Sequence, residues 1–185
     1  MRKLIYSMNP SLDGFIADAD GQIDWGVPDE ELHQFHNDEV RALGGHLLGR
    51  RLYETMVYWE TADQDPSAGP IVRDFAAVWQ ALPKVVFSTT LTTVEGNTRL
   101  ATDGLAEEVA RLKEEPGQDL AIGGAGLAAE AIRLGLVDEY RLFLNPILLG
   151  AGTPYFPALE ARIPLELIET RTFASRVVYL RYGRV

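Results

Sequence analysis

No cysteine occurs among the 185 residues. That absence excludes disulfides, thiol catalysis and thiolate metal sites. Basic side chains are in short supply as well: 17 Lys and Arg stand against 27 Asp and Glu, a formal net charge of −10. So acidic a chain is a poor partner for nucleic acid, while a local basic pocket for a phosphorylated small molecule stays compatible with it. No apolar run approaches membrane-spanning length, and no signal-peptide core follows Met1-Arg2-Lys3-Leu4-Ile5-Tyr6. The expectation is a cytoplasmic protein with neither membrane nor nucleic acid as partner. What is present is ordinary for a globular chain, 46% hydrophobic and 24% charged, and the length suits a single domain over 1–185.

Apolar runs and helical stripes alternate along most of the chain. Leu4–Met8, His46–Gly49, Val85–Phe87, Asp119–Ile122 and Tyr140–Leu144 read as strands. Pro28 opens a helix whose stripe is Leu32, Phe35, Val40 and Leu43, with Asp29, Glu30 and Glu31 at the positive end of its dipole. Further helices are read over 50–56, 71–82 and 102–115, with an exposed loop over 60–70. After residue 145 only strands follow: 165–170 and 176–182 form a hairpin around Phe173-Ala174-Ser175. The pattern predicts an α/β fold, a mostly parallel sheet flanked by helices with an antiparallel C-terminal edge.

One stretch organises the rest. The apolar run Leu120-Ala121-Ile122 meets Gly123-Gly124-Ala125-Gly126, and the helix formers Leu127-Ala128-Ala129 follow. Glycines there permit a sharp turn and close approach to a ligand, and the free N–H groups at a helix start attract phosphate. Gly124 to Ala129 also fits the G-x-G-x-x-A dinucleotide pattern. That pattern normally opens a domain and is followed about 20 residues later by an acid closing the next strand. Here Asp138-Glu139 begin the next strand instead, so an ordinary αβ turn is the alternative. Gly49-Arg50-Arg51 forms a second strand-to-helix junction, with two guanidinium groups suited to phosphate or to pairing with nearby acids. Ser88-Thr89-Thr90 offers hydroxyls after a strand. His33 and His36 lie three apart on one helix without a third ligand at telling spacing, and the acids Asp13, Asp18, Asp20 and Asp24 lack calcium-loop spacing.

Four segments in this order, Ser11-Leu12-Asp13-Gly14-Phe15-Ile16-Ala17, Leu48-Gly49-Arg50-Arg51-Leu52-Tyr53-Glu54, Ile122-Gly123-Gly124, and Asp138–Leu142 through Leu148-Leu149-Gly150-Ala151-Gly152, resemble the dihydrofolate reductase fold family. They are most similar to its small bacterial relatives of the riboflavin-pathway reductase type, the RibD C-terminal domain, and span nearly the whole chain. The resemblance implies a dihydrofolate reductase-like fold and an NADPH-dependent reductase, with a homodimer as its assembly. It assigns the adenosine 2′-phosphate to Gly49, Arg50, Arg51, Ser88 and Thr89. Gly123, Gly124, Ala125, Gly126 and Leu127 would cradle the pyrophosphate, and Ile16 and Ala17 would lie over the nicotinamide. A Trp-x-x-Pro-x-acid stretch, Trp25 to Glu30, matches the one that places a carboxylate in the pterin pocket of classical folate enzymes. Glu30 is then the expected proton donor, with Asp13 as the substitute, and Trp25 and Asn145 the expected substrate contacts. The chain departs from the folate pattern at Leu52, where the family has threonine, at Ala128, where it has an aromatic, and at Asn145, again in place of threonine. The implied substrate is a small pterin-like or pyrimidine-like heterocycle; the alternatives are the aminopyrimidine reductase of riboflavin biosynthesis and a non-catalytic NADP-binding protein.

Overall fold

The computed structural model describes residues 1–185. Its centre is an eight-stranded sheet of order β5-β4-β3-β6-β1-β7-β10-β9. The parallel body comprises β5 (Thr98–Leu100), β4 (Lys84–Phe87), β3 (Gly45–Gly49), β6 (Leu120–Gly123), β1 (Leu4–Met8) and β7 (Glu139–Leu144). β10 (Val178–Arg184) runs antiparallel to β7 and carries β9 (Leu165–Thr172) outermost, so the C-terminal hairpin forms the antiparallel edge. A separate small pair joins β2 (Phe15–Ala17) to β8 (Thr153–Pro154).

Alternation along the strands sorts the core between two faces. Leu4, Tyr6, Leu47, Leu120 and Ile122 face α4 (Leu105–Glu114) and α5 (Ala125–Arg133), whose Val109, Ala128 and Ile132 complete one cluster. Leu48 and Val86 point the other way, toward Tyr53 of α2 (Arg50–Met56) and Phe75 and Trp79 of α3 (Pro70–Ala81). Leu32 of α1 (Glu30–Arg41) packs with Phe143, Phe173 and Tyr179 beneath the antiparallel edge. Local chemistry sets the helix starts. The Asp29 carboxylate caps α1 by accepting from Leu32 N at 2.9 Å, and Pro70 opens α3.

The structure departs from the sequence expectation in several segments. The expected exposed loop over 60–70 begins instead in two short 3-10 turns, Val57–Glu60 and Ala62–Gln64; Ala62 is buried there, and Gln80 donates to the Trp59 and Glu60 carbonyls. α4 begins at Leu105, not Thr102, which leaves Asp103 outside the helix. β5, β2 and β8 span only two or three residues, too few for periodicity to register. His33 lies against Trp59 and Phe75, and His36 packs on Phe143 with ring centroids 4.4 Å apart. Burial, aided by the neighbouring His33, pushes His36 down to about 4, so it is a neutral packing group near pH 7. No helix is long and apolar enough to cross a membrane.

Asp138 and Glu139 anchor the opposite end of the sheet from the glycine turn. The Asp138 carboxylate accepts from Leu4 N at 2.7 Å and from Lys113 Nζ at 2.5 Å. Glu139, with no exposed side-chain surface, accepts from Arg141 Nε and Arg181 Nε, each at 2.7 Å, and Arg141 in turn reaches Glu39 of α1. Both acids sit where β7 starts, whereas the glycines sit where β6 ends. The parallel sheet therefore keeps them apart, and neither acid takes the ribose-binding place of a Rossmann fingerprint.

Candidate functional site

A cleft of about 940 Å³ runs along the C-terminal ends of β4, β3, β6 and β1. That volume lies toward the upper end of ordinary ligand sites, about 300–1,000 Å³. The edge is the one where parallel α/β sheets bind ligands, because the loops there diverge and helix N-termini converge.

The glycine turn shapes its floor. Gly124 has φ of +92°, a region that L side chains rarely adopt, and it caps α5. The first bond within α5 runs from Ala128 N to Gly124 O, so the N–H groups of Ala125, Gly126 and Leu127 have no partner inside the helix. Gly126 faces open space, since a Cβ there would meet nothing within 4 Å. Gly123 lies behind the wall rather than on it. A Cβ on Gly123 would come within 2.3 Å of Leu52 Cδ2, which explains why α2 can pack so close. A Cβ on Gly124 would stand 3.5 Å from Gly49 N, so the two strand-to-helix junctions abut.

Beside them, Arg50 and Arg51 begin α2 and line the cleft together with Ser88, Thr89 and Thr90. Arg50 is held by Glu54 one turn on, at 3.2 Å. The Arg51 guanidinium pairs with no carboxylate; only its backbone oxygen is engaged, by Thr55 Oγ1. Ser88 Oγ accepts from Thr90 N and Leu91 N at 3.1 and 3.0 Å, folding the loop after β4 into a compact turn whose hydroxyls stay at the cleft.

At the other end the wall is made by the β2–β8 pair. Asp13 accepts from Ser11 Oγ at 2.6 Å and from Leu149 N and Gly150 N, which pins the first loop to the segment before β8. Gly152 completes that contact: a Cβ there would be 2.0 Å from Ala17 O. The first and last segments of the resemblance are thus one structural unit, with Ile16, Ala17 and Thr153 turned to the cleft.

Of the residues singled out from sequence, Ile16, Ala17, Gly49, Arg50, Arg51, Ser88, Thr89, Gly124, Ala125, Gly126 and Leu127 line this one cleft. Four others do not. Glu30 is exposed in the first turn of α1, in a separate depression beside Arg171. The hydrogen bond from Ser11, then that from Gly150, hold the Asp13 carboxyl below the usual carboxylate range, a clamp and not a proton store. Trp25 is half-buried, its Nε1 donating to Gln22 O at 3.3 Å. Asn145 is buried, and its amide donates to Phe143 O and Pro10 O, stitching β7 to the first loop. Sequence reasoning passed over Met8, Ile23, Phe87, Asp103, Glu130 and Thr153. Met8 and Phe87 end parallel strands, and that rule alone could have marked them.

A family model for the RibD C-terminal domain matches residues 2–179. The chain belongs to the RibD C-terminal domain family. A Bacillus subtilis member, the uncharacterised protein YyaP, is 34% identical over 98% of this chain and 94% of its own length. Among solved structures, a candidate riboflavin biosynthesis protein of Shewanella sp. PV-4 superposes with a TM-score of 0.78 at 24% identity, covering 100% of this chain and 99% of that one. An Enterococcus faecalis dihydrofolate reductase complexed with NADP(H) superposes at 0.62 and 15% identity, covering 98% and 96%. The RibD C-terminal fold seen here is therefore the α/β fold of dihydrofolate reductase, and a reductase-like one.

Proposed function

We propose that this family member is an NADPH-dependent reductase that delivers hydride to a small pterin-like or pyrimidine-like heterocycle. The observation that carries the reading is the abutment of two junctions in one cleft, Gly49-Arg50-Arg51 with an unpaired guanidinium and Gly123-Gly124 with a free helix start. The residues present fit a phosphorylated dinucleotide. Arg51, with Ser88 and Thr89, would take a 2′-phosphate by charge-assisted bonds, and the N–H groups of Ala125 to Leu127 would take the pyrophosphate. Ile16 and Ala17 would cover the nicotinamide and keep water from it. When bound, the cofactor supplies the hydride. Titration calorimetry with NADPH and NADH, followed by NADPH oxidation against pterins and pyrimidines, tests the reading. NADPH binding is expected to be the tighter, and a protein that binds neither dinucleotide would end the proposal.

Family membership favours a second reading, reduction of the phosphorylated aminopyrimidine of riboflavin biosynthesis. A cytoplasmic enzyme fits both. As assembly we propose a homodimer, supported by β9, an outermost strand of eight residues with Leu167 and Ile168 exposed. Open edges of that length are usually covered. Light scattering on the eluting protein should give twice the 20.5 kDa chain mass.

Gly124 offers a direct check on the floor of the site. Gly124→Ala meets no hard clash, yet it must hold φ near +92° at a strain of about 1–3 kcal/mol. The expected result is a folded protein by circular dichroism whose NADPH affinity drops about tenfold or more. Gly69→Ala, which caps α3 outside the cleft with nothing within 4 Å of its Cβ, serves as the control.

A further inference from the structure

The cleft is electrically lopsided. Its ionisable lining residues are Arg50, Arg51, Asp103 and Glu130. Arg50 and Arg51 follow β3, Asp103 follows β5, and Glu130 lies on α5, which packs over β3 and β6. The opposite end lies beyond β1, two strand steps or about 10 Å from β3. It is lined by Met8, Ile16, Ala17, Gly21, Ile23 and Thr153, none of them ionisable. Of the carboxylates near in sequence, Asp13 is held in its clamp and Asp18 accepts from Asp20 N and Gln22 N, while Asp20 and Asp24 are exposed and stand outside the lining, adding no cation and only negative charge nearby. Thr153 supplies the one side-chain hydroxyl, able to donate or accept.

From this we infer that the ring end takes an uncharged, flat, conjugated acceptor lying against Met8, Ile16 and Ile23, and that its proton comes from water. The inference rests on the reductase reading above and narrows its substrate class. An anionic tail placed there would leave water without any counter-charge, and burying an unpaired charge is costly. The surrounding field of a chain with formal charge −10 opposes an anion as well. A phosphorylated aminopyrimidine is therefore disfavoured, because both cations of the cleft stand at the cofactor's phosphate end. The chemistry balances without a side-chain acid. Carbon of the acceptor's C=N or C=C bond gains the hydride from NADPH, the other atom of that bond gains a proton from water, whose hydroxide passes to the solvent, and NADP⁺ is released.

The test uses the wild-type protein saturated with NADPH or NADP⁺. Cofactor binding is first measured alone by calorimetry; its absence would overturn both the reductase reading and this inference. With binding established, a panel of uncharged conjugated acceptors is offered: a dihydropterin without an acidic tail, an aminopyrimidine base and an α,β-unsaturated ketone. Each that has a phosphorylated counterpart is paired with it, and binding to the NADP⁺ complex and NADPH oxidation are both recorded. At least one uncharged member should bind and turn over, with its phosphorylated partner at least tenfold weaker. Preference for the phosphorylated partner, or silence from every uncharged member, would overturn the inference while leaving the cofactor assignment standing. Ile23 is 52% exposed and tolerates replacement. Ile23→Arg should reverse the selection, lowering the Kd of the phosphorylated partner about tenfold relative to the uncharged one; an unchanged ratio counts against it. The dependence of kcat/KM on rising pH should be the same in Glu30→Gln as in wild type, and loss in that variant of a fall on the alkaline side would identify a side-chain donor after all.

Discussion

Arg51→Ala should weaken NADPH binding about 10- to 100-fold and leave NADH within about twofold. One hydrogen-bonded charge lost is worth about 1.5–3 kcal/mol, and about 1.4 kcal/mol is tenfold in Kd. The guanidinium enters the site without an existing partner, so nothing inside the chain competes for it. Arg50→Ala supplies the contrast. Arg50 already shares an exposed pair with Glu54, of the kind worth about 0.3–0.5 kcal/mol, and must give it up to meet a phosphate. Its removal should cost NADPH about threefold. Calorimetry on both variants with both dinucleotides decides the matter; equal losses for NADPH and NADH in Arg51→Ala would remove the 2′-phosphate assignment.

Glu139→Gln should destabilise the fold by about 3 kcal/mol at pH 7, the lower end of what breaking a buried ion pair costs, because Arg141 retains Glu39. Burial works to raise the Glu139 carboxyl, but the hydrogen bonds from Arg181 and Arg141 outweigh it and hold the group below its ordinary value. A carboxyl depressed in the folded state stabilises fully above the unfolded value near 4.5, and that contribution is lost as pH falls through the folded one. The difference between wild type and variant should thus be largest near neutrality and shrink in acid, as urea midpoints at pH 7 and pH 4 will show. NADPH affinity should not change, because the network lies at the edge of the sheet where β7 begins, away from the cleft. A gap that stayed constant through acid would mean that packing, not charge, makes Glu139 matter.

What the sequence made legible was whatever a few neighbouring residues decide. Asp29-Glu30-Glu31 announced a helix start, Gly123-Gly124 a sharp junction, and Arg50-Arg51 a cationic corner, and each stands where its own backbone puts it. Glu30 went astray for a different reason. Its spacing from Trp25 and Pro28 fixes a place in α1, but only the packing of Leu32 and Phe35 under the antiparallel edge decides which way the first turn faces. Asp13 was read as a candidate acid because the backbone N–H groups that claim it come from Leu149 and Gly150, over a hundred residues away. The β2–β8 pair was silent for the same reason, two short segments meaningful only to one another.

That pairing also orders events during synthesis on the ribosome. Every residue of the arginine and glycine half of the cleft, from Gly49 to Leu127, has been made before Gly152 and Thr153 emerge to seat against Ala17. Until then the growing chain carries the Arg50–Arg51 corner with no opposite wall, and Met8 and Ile16 wait uncovered. Contacts that span so much sequence form late and slowly. The β2–β8 wall is consequently the last side of the cleft to be made, and only the C-terminal hairpin follows it off the ribosome.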